Sequence, residues 1–177
     1  MSVQEWIQLE DQRCFVDRKK RLQWLLDNFS GEGISVFLGG RLAIQLFEEA
    51  KYAFVYGQYL SAITLSIAYV ERTLAATHYA CGKSEMGRAS GEALFKEALD
   101  EKIISQDEYD LFDRARKLRN PILHYRHPGH ENNPEIRAAR SDEDFYALLE
   151  EDAKTGLLAA MRMNQKNFIP RGDNDWD

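Results

Sequence analysis

In 177 residues the chain has only two cysteines, four prolines and no long apolar run. Each shortage excludes something. Cys14 and Cys81 are too few and too far apart in sequence for a disulfide framework or a zinc site, so they read as reduced thiols of a cytoplasmic protein. Four Pro and 11 Gly leave no room for a long flexible linker. No apolar stretch approaches the ~20 residues that a membrane helix needs. The opening segment, MSVQEWIQLEDQR, is acidic and mixed, unlike a signal or transit peptide. A net charge of -6 argues against broad non-specific nucleic-acid binding, so any such contact must be local. A Gly-rich phosphate loop is absent, as is a paired-Asp strand motif, which argues against a nucleotide-transferring enzyme.

What is present reads as one globular domain with tails. Hydrophobic residues make up 44% and charged residues 29%. Apolar positions recur at helical spacing almost throughout. Trp6, Leu9, Val16, Leu22, Leu25, Leu26 and Phe29 predict a first helix or helix pair, broken at 30–33. A second helix is expected from about Arg41 to Tyr56 and is stopped by Gly57. A third, from about Tyr59 to Tyr79, is apolar on more than one face and should be central. The stretch from Glu85 to Gly91 reads as loop, and Glu92 to Glu101 as a short helix. Ser105 and Glu108 form a capping box that opens a fifth helix. The segment from His127 to Pro134 reads as loop, and a last helix is expected from about Ser141. Only Ile34-Ser35-Val36-Phe37 resembles a strand.

The densest chemistry lies at Arg119-Asn120-Pro121-Ile122-Leu123-His124. A guanidinium binds phosphate oxygens through parallel donors, and an imidazole exchanges a proton near neutral pH. From Arg114 to His127 there are five Arg or Lys residues and no Asp or Glu. Proline disfavours helical geometry in the residue before it, so the helix is expected to break at Asn120-Pro121, with Asn120 as a cap or as a site residue. Such a break would bring Arg119 and His124 toward one cleft. His124, His127 and His130 recur every three residues beside Glu131, but Pro128-Gly129 interrupts the helix that would align them. No metal and no cofactor are expected. His78 reads as a helix-end residue.

An all-helical chain with Arg-polar-x-x-x-His late in the sequence resembles the HEPN superfamily. Asn120 satisfies the polar position, and Glu71 in Ala68-Tyr69-Val70-Glu71-Arg72 matches the acidic residue that members often carry on an earlier core helix. The resemblance implies an all-α, compact antiparallel helical bundle over residues 39–168. Residues 1–38 would be an N-terminal helical extension and 169–177 a flexible tail. It implies a metal-independent endoribonuclease, a toxin or phage-defence component, that cleaves RNA by 2′-hydroxyl attack. The catalytic set would be Arg119, His124, Asn120 and Glu71. Arg114, Arg116, Lys117 and Arg126 would hold the RNA backbone, and Tyr125 would stack on a base. A homodimer with a composite active site is implied, as is an antitoxin or nucleotidyltransferase partner. The alternative is a non-catalytic HEPN-like helical interaction or dimerisation module.

Overall fold

The computed structural model describes residues 1–29, 34–35 and 37–169. The break expected at 30–33 and the tail from Pro170 lie outside them. The described residues form an all-α bundle of seven helices: α1 (Val3–Asn28), α2 (Gly40–Val55), α3 (Tyr59–Ala80), α4 (Gly91–Asp100), α5 (Gln106–Leu123), α6 (Pro134–Ser141) and α7 (Phe145–Lys166). A short 3₁₀ helix, Ser84–Arg88, occupies part of the expected loop before α4. Two-residue strands β1 (Ile34–Ser35) and β2 (Phe168–Ile169) pair antiparallel, Ile34 opposite Ile169.

Side-chain caps open four of the seven helices among the described residues. Ser2, Ser90, Ser105 and Asp144 each accept a hydrogen bond from a backbone amide of the helix they open. At Ser105 the capping box is complete: Ser105 Oγ accepts from the Glu108 amide, and Glu108 accepts from the Ser105 amide. Ser105→Ala is expected to cost about 1 kcal/mol, read as a lowered denaturation midpoint. Gly57, with φ of +74°, turns the chain between α2 and α3. α6 and α7 are separate helices, because Asp142 adopts left-handed geometry at the end of α6.

α3 is central, packing on α2, α4, α5 and α7. Its Ile63, Ile67, Tyr69, Val70 and Leu74 are fully buried, together with Phe47 and Phe54 of α2, Phe95 of α4 and Phe112 of α5. Small residues let α7 lie close to α3: a Cβ on Gly156 would sit 3.4 Å from the Ile63 Cα. α6 is fastened to α7 by Arg137, which donates to both oxygens of the buried Asp152 at 2.7 Å.

α1 is one continuous helix of 26 residues. Among the described residues, only its C-terminal half is fastened to the bundle. Leu25 is buried, and Trp24 packs on Phe54 with ring centroids 5.2 Å apart. Arg21 donates to the Val55 carbonyl at 3.0 Å and to the Tyr59 hydroxyl at 3.1 Å, and Tyr59 in turn donates to Glu150 of α7. Burial and that carboxylate push the Tyr59 phenol up to about 12. Among the described residues no helix is long and apolar enough to cross a membrane.

Candidate active site

Glu71 projects from the central helix α3 and Arg119 from α5. Arg119 Nη2 donates to Glu71 Oε1 at 2.7 Å. The Arg119 side chain is 16% exposed and that of Glu71 21%, so the pair is sheltered but open at its edge. Nη2 carries the whole contact. Arg119 Nε is buried without a hydrogen-bond partner, and Nη1 has no acceptor among the described residues. Gly91, at the start of α4, makes this arrangement possible. A Cβ there would lie 2.1 Å from Glu71 Oε1, so any larger residue must displace the carboxylate. A cleft of about 620 Å³ opens beside Glu71, lined also by Leu38, Arg72, Tyr79 and Gly91.

The expected helix break is absent. α5 runs through Asn120 and Pro121 to Leu123, and His124 is its C-cap. Proline removes one amide donor, but Pro121 lies in the last turn, where few rungs follow. The His124 amide still donates to the Asn120 carbonyl at 2.9 Å. Asn120 therefore caps nothing; it is a helical residue whose side chain makes no hydrogen bond among the described residues. With α5 unbroken, positions 119 and 124 point about 140° apart around its axis. His124 is exposed, and no hydrogen bond or ion pair joins it to Arg119 or Glu71. One chain brings Glu71 and Arg119 together and leaves His124 apart.

The basic stretch is partly neutralised from within. Asp113, one residue before it, bonds Arg116 at 2.6 Å and Lys117 at 2.7 Å, and Glu92 lies 3.3 Å from Arg116. Burial raises the Asp113 carboxyl, but Lys117 and Arg116 outweigh this and hold it below its usual range. Those contacts therefore add stability above the ordinary carboxylate pKa, and it is lost as pH falls through the lowered value. Arg116 and Lys117 lie at i+3 and i+4 from Asp113, a spacing legible in the sequence just before the acid-free run from Arg114 to His127. Arg114 and Arg126 are exposed and have no carboxylate partner among the described residues. Tyr125 is 88% exposed. Tyr125 and Arg126 line a second cleft of about 560 Å³ with Pro121, Ile122, Pro128 and Phe145.

The remaining histidines serve the fold. His127 and His130 stack edge to face at 5.5 Å, the His127 carbonyl accepts from Asn133, and His130 Nδ1 accepts from the Asn132 amide. Among the described residues no group of three His, Cys, Asp or Glu side chains is placed to hold a metal. His78 lies near the end of α3 but is fully buried, with Nδ1 3.2 Å from Glu101 and outside hydrogen-bond geometry. Lys83 bonds Glu97 and Glu101, and it holds the Glu101 carboxyl below its ordinary range. The chain matches no family model, no curated protein and no solved structure.

Proposed function

We propose that this protein is a metal-independent endoribonuclease of HEPN type whose cleft is completed by a second copy. The observation that carries the reading is the Glu71–Arg119 contact at 2.7 Å. It joins the motif arginine to the acidic residue of the central helix, and it leaves two guanidinium nitrogens without an acceptor among the described residues. Glu71 orients the cation; Arg119 stabilises charge that develops on the phosphate. His124 takes the proton from a ribose 2′-hydroxyl as O2′ bonds to phosphorus. The bond to O5′ breaks, and the protonated imidazole returns its proton to that oxygen, which leaves as a 5′-hydroxyl. The products are a 2′,3′-cyclic phosphate and a 5′-hydroxyl. Because one α5 separates Arg119 from His124, a cleft using both draws them from different copies. Arg114 and Arg126 hold the backbone, and Tyr125 stacks on a base.

The test is cleavage of single-stranded RNA in EDTA, with analysis of product ends. Cyclic phosphate ends are expected. Mixing Arg119→Ala with His124→Ala chains is expected to restore cleavage well above either alone, since a mixed pair keeps one intact cleft. Cleavage that needs a divalent metal, or mixtures as inert as their parts, would overturn the reading. Asp113→Asn is expected to release Arg116 and Lys117 toward phosphate. RNA affinity should rise several-fold, and the slope of log affinity against log salt should steepen by about 1–2. Filter binding across a salt series reads both.

A second reading is a non-catalytic interaction module. The exposed apolar side chains of α1 favour it, and a folded chain that leaves RNA intact would select it.

A further inference from the structure

α1 carries two apolar features left unmatched among the described residues. The first is a stripe in its opening turns. Val3, Trp6 and Ile7, at i, i+3 and i+4, share one face and are all exposed, Trp6 by 54%. The second is a groove of about 350 Å³ between the other end of α1 and α2. Leu22, Leu26, Tyr52 and Tyr56 line it and are exposed. Large apolar side chains gathered on a helix and an adjoining groove mark an interaction surface.

Charge divides along the same helix. Its opening turns carry Glu5, Glu10 and Asp11 and no Lys or Arg before Arg13; the next turns carry Arg13, Arg18, Lys19, Lys20 and Arg21 against one acid, Asp17. Some of this charge is used within the chain: Arg18 pairs with Asp11 at 3.0 Å and lies over Tyr56, and Lys51 pairs with Glu48. Glu10 and Lys19 have no ion-pair partner among the described residues. An apolar stripe flanked by acid and an apolar groove flanked by base are complementary. They cannot meet within one molecule, because nineteen residues of unbroken helix separate Val3 from Leu22, about 28 Å.

We infer that the opening turns of α1 from a second copy of this chain seat in the groove between α1 and α2, and that the exchange is reciprocal. Each copy gives its stripe and receives its partner's, so the contact closes on a two-fold axis. The partner's Val3, Trp6 and Ile7 cover Leu22, Leu26, Tyr52 and Tyr56, and its Glu10 approaches Lys19. This assembly stands independently of RNA cleavage.

Sedimentation equilibrium on the full chain tests it. The wild type is expected to be a dimer with a dissociation constant of about micromolar or tighter. Trp6→Glu and Leu26→Glu should each weaken it at least about tenfold while leaving the helical circular dichroism unchanged. Both side chains are exposed in the single chain, so neither change is expected to unfold it. The decisive sample is a mixture of the two variants. Trp6 of one copy still fits the unaltered groove of the other, so the mixture should form heterodimers where neither variant forms homodimers. His124→Ala should remain dimeric, which separates failure of this assembly from failure of the nuclease reading. A monomeric wild type at ~100 µM, about a hundredfold above a micromolar constant, would overturn the inference. So would variants that dimerise as the wild type does, or a mixture that stays monomeric.

Discussion

His124→Ala is expected to lower RNA cleavage by about 10²–10⁴-fold, the usual contribution of a positioned acid or base. Thermal unfolding should stay where it is. The imidazole is exposed at the end of α5 and makes no side-chain hydrogen bond or ion pair among the described residues, so its removal strands no buried group there. Arg119→Ala should behave differently. It should cost about 10²–10³-fold in cleavage and also lower stability, because Glu71 would lose the cation that its sheltered carboxylate contacts. Arg119→Lys keeps the charge without the fork, so it should recover stability better than activity. Cleavage assays beside denaturation curves check all three. Equal cleavage by wild type and His124→Ala would remove His124 from the mechanism.

The largest loss of stability is expected far from the motif. Arg137→Ala leaves Asp152 buried without its bidentate partner. Breaking a buried pair from one side costs about 3–5 kcal/mol. Arg137 is itself partly exposed, which favours the lower end, about 3 kcal/mol. For a chain of this length that is a fall in Tm of about 6–12 °C. Adding Asp152→Asn to Arg137→Ala should recover part of the loss at neutral pH. A deficit that Asp152→Asn does not relieve would mean that lost packing of α6 dominates.

The helical plan was legible because burial and period agree. Apolar residues on several faces of 59–79 marked α3 as central, and it is. The capping box at Ser105 gave the start of α5 to the residue. Where one local rule was weighed alone, the reading failed. Proline argued for a break at Asn120, but a proline in a final turn forfeits little, and the helix continues. α6 was missed because its eight residues bury only Ala138, and the Arg137–Asp152 pair that fastens it spans fifteen positions. In the candidate site, Glu71 and Arg119 were named from the sequence and lie in contact. Gly91 had no signal, since its part depends on α4 approaching α3.

Pro121 removes one hydrogen bond from α5. Lys117 has no amide four residues ahead to receive, so the ladder lacks a rung just beyond Arg119. Arg119 stands on the side where Phe112 and Ala115 are buried, and Glu71 holds it. His124 stands beyond the gap, on a turn that ends in solvent. Turns of that kind open far more often than a packed core helix, and amide exchange reports the difference. Exchange is therefore expected to be slow at the Arg119 amide and fast at the His124 amide, on either side of the missing rung.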